Sequence, residues 1–436
     1  MMRKFIFGIL FFSGITLLAQ DTKELTLEEC IDLAVNRNLR IKQSQNNLIA
    51  AESNKRQAMF NFLPDLNANA GYFVREGSFF DNSSGQFATA TTRSSRPEIS
   101  SNLTIFNAFA NHHLLNRRAH EYNSNLYRLE DSKIVIKANV IRSYLSVLVD
   151  IENLRVSNER MEFLESQLDR EKKRVSVGVG NLETVYNFQS QIATERLNNV
   201  NLENQYQTDL LSLSQLLQMN DGTELKVVPL DFENMQILTE FDSYNVVLEE
   251  VLNNSFQLKS ATASKKATRA QLSQVKADRY PSVGMGVGYG TQYSSNNSGD
   301  VSSQFENLNY SFIGASIQIP IFNRYSTQNR IETTKIAFQN AKIAEDQAVL
   351  DVTNSTQQDY LALRAAQTSY VTAQENFEAL NQTFEFIKKR FETGNTDFYS
   401  YLESLNNKNR AEAQLINAKY TIVLRKRILD LYRGNN

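Results

Sequence analysis

The feature that most constrains this chain is an internal duplication. Motifs of the first half return in the same order 216 or 217 residues later. The clearest pairs are Pro64 and Pro281, Gly71 and Gly288, Asn107 and Asn323, Arg174 and Arg390, and Gly178 and Gly394. The duplicated unit is far longer than the ~20–50 residues of a solenoid repeat. We therefore predict one body made of two like halves that lie around a pseudo-symmetry axis.

Composition narrows the class of fold and partner. The 436 residues include 16 glycines and 5 prolines, few enough to favour long helices. The formal net charge is -2, whereas nucleic-acid-binding proteins are usually strongly basic. Cys30 is the single cysteine, so no internal disulfide can form. We expect no nucleic-acid partner.

The N-terminal residues have the pattern of a signal peptide. Arg3 and Lys4 precede an apolar run over residues 5–18, and Ala19 offers a small residue for cleavage. We predict a signal peptide over residues 1–19. No later apolar run reaches the ~18 residues of a transmembrane helix. Any membrane contact would therefore have to be made by strands.

Each half contains two segments whose hydrophobicity alternates with a period of two. They cover residues 66–74 and 99–105 in the first half and 283–289 and 313–319 in the second. The Ser-, Thr- and Gly-rich residues between the first two segments are predicted to form a loop. One face is apolar and the other is small or polar, as in the ~9–11-residue strands of an outer-membrane barrel. A half-buried strand of a soluble sandwich alternates in the same way. The predicted export, together with the lack of other β-patterns, favours the barrel.

Two very long helices are predicted, because residues 108–177 and 323–393 contain neither proline nor glycine. About 70 residues at ~1.5 Å each would make a rod of ~105 Å. Near the end of the second rod, apolar residues recur at a mean spacing of ~3.5, typical of a left-handed coiled coil. This stripe consists of Leu363, Tyr370, Ala373, Phe377, Leu380, Phe384, Ile387 and Phe391.

Four shorter helices are expected to pack along the two rods. Gly178 and Gly394 end the rods, and helices over residues 182–219 and 397–432 return along them. Helices over residues 26–62 and 243–280 have the length to cover the remainder. The predicted organisation is a first repeat at 20–220, an equatorial linker at 221–242 and a second repeat at 243–436.

Several motifs, taken in order, resemble the TolC family of outer-membrane efflux proteins. They are LTLEECIDLA at 25–34, FLPDL at 62–66, RYPSV at 279–283, IPIFN at 319–323 and KRFETG at 389–394. These resemble the family's opening helix, its two helix-to-strand junctions, its strand-to-helix junction and its periplasmic tip turn. The resemblance covers essentially the whole mature chain.

The resemblance implies a mainly α fold with a small transmembrane β part. It implies a homotrimer in which each protomer gives four strands to a shared 12-stranded barrel, continuous with a long coiled-coil helical tunnel through the periplasm. Four strands cannot close a barrel alone, and open edges in lipid cost several kcal/mol per unpaired group. The implied partners are outer-membrane lipid, a periplasmic adaptor (membrane fusion) protein and an inner-membrane pump.

A passive tunnel needs no catalytic group, cofactor or metal, so the candidate site is a gate at the tip turns. In the resembling family, aspartates on the second returning helix constrict the tunnel, and through Gly394 their positions fall on Ser400 and Glu403. Asp397 and Glu403 are the acidic groups expected nearest the lumen. Together with the first turn and the basic ends of the rods, the candidate gate residues are Arg174, Gly178, Glu183, Thr184, Asn187, Arg390, Gly394, Asp397, Ser400 and Glu403.

Two interpretations of the basic residues stay open. Arg174 and Arg390 end the long helices, where cations complement the negative helix terminus by ~0.3–1 kcal/mol. Alternatively, they pair with Glu183, Asp397 or Glu403 across hairpins and hold the tunnel shut.

Three functions compete at this point. The leading one is an outer-membrane exit duct of a tripartite efflux or type I secretion system. The second is an exported coiled-coil scaffold with a small soluble β-cap. An enzyme is disfavoured, because no metal-ligand spacing, nucleophile–base motif or phosphate loop is present in the sequence.

The gating interpretation makes a direct prediction. Replacing Arg390→Ala together with Glu403→Ala should raise single-channel conductance in a planar bilayer, because it removes both partners of a closing ion pair. An unchanged conductance would contradict this interpretation and leave helix-end complementation as the role of Arg390.

Overall fold

The computed structural model describes residues 23–81, 86–219, 225–230 and 242–434. The predicted signal peptide and most of the predicted linker lie outside these residues. The fold is mainly helical and has the predicted two-fold repeat. The helical unit contains residues up to Ile41, Lys133–Val247 and residues from Thr356, and the sheet unit contains Lys42–Ser132 and Leu248–Ser355. Each unit thus takes residues from both repeats.

Each half runs from two shorter helices through its strands to a long helix and a returning helix. The first half and its following segment contain β1 (Lys23–Leu25), α1 (Leu27–Arg37), α2 (Leu39–Phe60), β2 (Asn67–Asn69), β3 (Tyr72–Asp81), β4 (Gln86–Ser95), β5 (Glu98–Phe106), α3 (Ala110–Ser176), α4 (Leu182–Leu216) and β6 (Leu225–Val227). The second half contains α5 (Tyr244–Asn254), α6 (Phe256–Ala277), β7 (Ser282–Thr291), β8 (Tyr293–Ser294), α7 (Val301–Asn307), β9 (Asn309–Gln318), α8 (Ser326–Glu392) and α9 (Phe398–Arg433).

Each predicted N-terminal helix is in fact two helices. The first breaks at Asn38, between α1 and α2, and the second breaks at Ser255, between α5 and α6. The Asn38 side chain accepts a hydrogen bond from the Arg40 N–H at 2.9 Å, and the Ser255 hydroxyl accepts one from the Leu258 N–H at 3.2 Å. Such local side-chain bonds start a new helix. The single-helix predictions were wrong at these two equivalent positions.

Parts of all four alternating segments form one antiparallel sheet in the sheet unit, in the order β2-β5-β7-β9. The end of the first segment, from Tyr72, instead belongs to β3 in a second sheet. Val287 lies opposite Ser101 on one side and Ile313 on the other, so one face of the sheet collects the apolar residues. The exposed apolar side chains of this face are Ile99, Val287, Tyr289, Ile313 and Ile317. The alternation of apolar with small or polar residues in the sequence therefore places these two kinds of residue on opposite faces of the sheet.

The opposite face is built from glycine and small polar residues, with two aromatic rings laid over it. Gly288 and Gly290 on β7 lie opposite Phe312 and Tyr310 on β9. A Cβ at either glycine would clash with the ring of its partner, so glycine permits the close approach. The Tyr310 hydroxyl donates to a carboxylate oxygen of Glu98 at 2.8 Å and so bridges three strands.

A second sheet corrects the predicted loop between the first two strands. β3 and β4 pair in register from Tyr72 opposite Ser95 to Asp81 opposite Gln86, and β4 then pairs with β8. The Ser, Thr and Gly residues of this segment were interpreted as a loop. Threonine is β-branched and suits a strand, and Ser78 and Thr89 form a cross-strand hydrogen bond of 2.7 Å.

The helical unit holds a two-stranded parallel sheet, β1 with β6, that the sequence did not predict. Tyr144 of α3 stabilises this sheet, because its buried hydroxyl lies within hydrogen-bond distance of the Leu25 carbonyl at 3.1 Å and of the Val228 carbonyl at 2.6 Å. Thr26 and Glu29 form a capping box at the start of α1.

The two long helices are confirmed, at 67 residues each. Each is entered through two successive non-glycine residues in the left-handed region, Ala108 and Phe109 before α3, and Arg324 and Tyr325 before α8. All eight residues of the predicted coiled-coil stripe on α8 are buried or half-buried. Within the described part of the chain, no helix is both long and apolar enough to cross a membrane.

A buried acid with a half-buried acidic neighbour gives a pH-dependent prediction. Burial, together with the neighbouring Asp209 carboxylate of α4, raises the pKa of Asp150 on α3 to about 7. Because the pKa of Asp150 is higher in the folded chain than in the unfolded chain, protonation of Asp150 favours folding. This contribution to the free energy of unfolding is complete below the unfolded pKa near 4 and is lost as pH rises through 7.

Replacing Asp150→Asn removes the charge at every pH. We expect the thermal midpoint at pH 8 to rise by a few degrees over that of the unmodified protein, reflecting roughly 1–2 kcal/mol, with little difference at pH 5. Asp209→Asn is the matched variant and should flatten the pH profile in the same way. Identical pH profiles in Asp150→Asn and the unmodified protein would show that the pair does not share a proton.

Candidate functional site

The two tip turns share one backbone conformation. Gly178 and Gly394 have φ of 81° and 76°, in the left-handed region. The N–H of Gly178 donates to the Val175 carbonyl at 3.0 Å, and the N–H of Gly394 donates to the Phe391 carbonyl at 3.0 Å. In each turn the residue after the glycine donates back to the arginine that ends the rod, Arg174 or Arg390. These are the bonds of a glycine-terminated helix end.

The returning helices begin at capping residues that occupy equivalent positions. The Asn181 side chain accepts a hydrogen bond from the Glu183 N–H at 2.9 Å. The Asp397 carboxylate accepts from the Ser400 N–H at 2.9 Å and from the Ser400 hydroxyl at 2.8 Å. The backbone N–H of Ser400, followed by its hydroxyl, lowers the pKa of Asp397 below its ordinary value. Asp397 and Ser400 are thus engaged with each other at the start of α9.

Glu171 closes the first turn, and sequence reasoning missed it. Its side chain is buried, accepts a hydrogen bond from the Asn181 N–H at 3.3 Å and lies 3.2 Å from the Arg174 guanidinium. The equivalent position in the second repeat is Ile387. A buried carboxylate needs charged or N–H partners. An acid at 171, where the other repeat has an apolar residue, was therefore the sequence signal for this contact.

An ion pair joins the two hairpins. The Arg170 guanidinium of α3 lies 2.6 Å from the Glu392 carboxylate of α8. Neither residue was predicted. Arg390 instead donates to the Asn395 carbonyl at 3.0 Å, and within the described residues no ion pair links it to Glu403. The proposed pairing of Arg390 with Glu403 is thus not formed within the described part of this chain, and such a pairing between protomers stays a prediction.

A cleft of about 380 Å³ lies between the two tips. It brings together six of the ten predicted gate residues, with Glu171 and Asn181 beside them. The six are Arg174, Glu183, Thr184, Asn187, Gly394 and Asp397. Thr184 is buried and Asn187 is half-buried, whereas Glu403 is exposed. Gly178, Arg390, Ser400 and Glu403 do not line the cleft.

An aromatic core lies next to this cleft and locks the two hairpins together. Phe188 of α4 packs edge-on against Phe398 of α9, with ring centroids 4.8 Å apart. Tyr401 stacks on Phe391 of α8 at 4.7 Å, and Phe384 completes the cluster. Because the rings come from both repeats, the hairpins cannot separate without opening this core.

Comparison with known proteins was made on sequence and on structure. The sequence model of the family described as outer membrane efflux protein matches the chain twice, over residues 30–218 and 247–435. The outer membrane protein TolC of Escherichia coli (strain K12) is 21% identical over 304 residues, which are 68% of this chain and 60% of TolC. The chain spans about 60% of the length of the TolC proteins of Escherichia coli and Salmonella enteritidis.

Solved structures give the same fold. The CusC structure superposes with a TM-score of 0.81 at 16% identity and covers 94% of this chain and 92% of CusC. The outer membrane protein VceC of Vibrio cholerae superposes with a TM-score of 0.78 at 14% identity and covers 94% of this chain and 96% of VceC. At these identities the likeness establishes the fold alone. The resemblance inferred from the motifs is confirmed.

The left-handed turn glycines predict a stability effect. Gly394→Ala places a Cβ where nothing lies within 4 Å but φ is +76°, so its cost is backbone strain of ~1–2 kcal/mol. We expect the thermal midpoint to fall by a few degrees. Gly314→Ala is the matched control, since its Cβ also meets nothing within 4 Å and its φ lies outside the left-handed region. Equal midpoints in the two variants would show that the turn is not strained by alanine.

Proposed function

We propose a function from one premise: the chain belongs to the outer membrane efflux protein family. This is a family of transport channels and not of enzymes. The proposed function is the outer-membrane exit duct of a tripartite efflux or type I secretion system. The protein would conduct substrates passively from a periplasmic tunnel to the exterior.

The observation that carries the proposal is the exposed apolar face of the four-stranded sheet. Ile313 and Ile317 are 72% and 68% exposed, and Ile99 and Tyr289 lie on the same face. A contiguous apolar patch of this kind marks an interaction surface. On a strand that alternates apolar with small or polar residues, lipid is the contact that fits.

The two edges of the sheet support a trimer. β2 and β9 are the outer strands, and each leaves one row of backbone groups without a strand partner in the described sheet. Unpaired backbone groups in hydrocarbon cost several kcal/mol each. Three copies that join edge to edge would give a closed barrel of 12 strands, an even number within the range of such barrels.

The tips support a gate. The ion pair and the aromatic core join the hairpin of the first repeat to that of the second, and the cleft is lined by both hairpins. In the proposed duct the tips face the periplasm, where an adaptor protein and an inner-membrane pump would engage them. Movement of one hairpin against the other would open the tunnel.

An adjacent pair of substitutions separates a duct from a soluble scaffold. Ile317→Lys puts a charge on the proposed lipid face, where lysine costs ~2–4 kcal/mol near the bilayer midplane. We expect the amount of protein assembled in the outer membrane to fall several-fold. Ser316→Lys lies next to it on the opposite face and should assemble normally. A soluble scaffold exposes both residues to water and would tolerate both substitutions equally.

Conductance is the direct readout. The unmodified protein, purified from outer membranes in detergent, should form ion-conducting pores in a planar bilayer, and Ser316→Lys should shift their ion selectivity toward anions. Protein that fractionates with the outer membrane but forms no pores would overturn the duct and favour the scaffold.

A further inference from the structure

Tyr401 is buried without a partner for its hydroxyl. The side chain is 0% exposed and lies in the aromatic core between Phe384, Phe391 and Phe398. In the described part of the chain, its hydroxyl oxygen is buried and has no hydrogen-bond partner. Leaving a buried hydroxyl unsatisfied costs free energy, because its bond to water in the unfolded chain is not replaced.

A second buried tyrosine shows that burial in this fold does not by itself leave a tyrosine hydroxyl without a hydrogen-bond partner. Tyr144 is also 0% exposed, but its hydroxyl lies within hydrogen-bond distance of two backbone carbonyls. Around Tyr401 the neighbouring rings are phenylalanines, and a phenylalanine would fill the same space without the orphaned oxygen. At the equivalent position of the first repeat stands Val185, which has no polar atom to satisfy.

Charged groups lie near the orphaned hydroxyl. Burial raises the pKa of Tyr401 above its ordinary value, and the nearby Glu392 carboxylate raises it further while Arg170 lowers it. Arg170 and Glu392 are the ion pair that joins the two hairpins. Glu392 directly follows Phe391, whose ring stacks on Tyr401, so the ion pair lies beside the core that holds Tyr401.

We propose that Tyr401 is a positioning residue of the gate: its unpaired hydroxyl destabilises the closed tip, and it bonds the Arg170–Glu392 pair when the tip opens. The inference rests on the proposed function. The hydroxyl lowers the free-energy difference between the closed and open tip, and the aromatic ring keeps the closed state packed. The packing of the aromatic rings thus stabilises the closed tip, and the unpaired hydroxyl oxygen of Tyr401 destabilises it.

Tyr401→Phe tests this inference, since it removes the oxygen and keeps the ring. In planar bilayers we expect the ratio of open to closed time to fall about 10-fold, equivalent to ~1.4 kcal/mol. The thermal midpoint of the same variant should rise. Tyr144→Phe is the matched control: it removes a bonded hydroxyl, so its midpoint should fall while its open-to-closed ratio stays that of the unmodified protein.

A second background separates positioning from stability. In the double variant Arg170→Ala with Glu392→Ala both proposed open-state partners are gone, so adding Tyr401→Phe should raise the midpoint but leave the open-to-closed ratio unchanged. A Tyr401→Phe variant whose ratio equals that of the unmodified protein would overturn the inference, whatever its midpoint. If the unmodified protein forms no pores at all, the proposed function fails instead, and the two failures are distinguishable.

Discussion

The structure depends on one constraint, that every backbone N–H and C=O removed from water needs a hydrogen-bond partner. Helices satisfy this requirement internally, and the described helices account for most of the chain. The sheet β2-β5-β7-β9 does not, because its outer strands β2 and β9 each leave one edge unpaired. With an apolar face suited to lipid, such a sheet is incomplete as a single copy. The duplication supplies two strand pairs per chain, and in the proposed duct further copies of the chain would supply the rest.

Periodicity predicted the elements whose environment is uniform along their length. The long helices begin and end within three residues of their predicted bounds, because a rod without glycine or proline has no alternative conformation of comparable stability. The breaks at Asn38 and Ser255 were missed, since a capping side chain leaves the apolar spacing unchanged. The β1–β6 sheet was missed because three-residue strands are too short to show a period.

The two tip turns were predicted in position, but the contacts around them were predicted only in part. Gly178 and Gly394 fix the turns, because only a glycine-like φ lets the rod reverse in so few residues. Glu171, Arg170 and Glu392 were not foreseen, since their pairings depend on how one hairpin is rotated against the other, which no local pattern encodes. Asp397 was expected toward the lumen, whereas in the structure its carboxylate caps α9 through Ser400.

In the proposed duct, the sheet unit and the helical unit have different tasks. The exposed isoleucines and the glycines packed under aromatic rings suit the wall of a membrane barrel. The aromatic core beside a polar cleft suits a gate at the tips. The central claim is that several copies complete one wall. Native mass spectrometry of the protein released from detergent tests it most directly. The account predicts three chains in one particle, and a particle containing a single chain would contradict it.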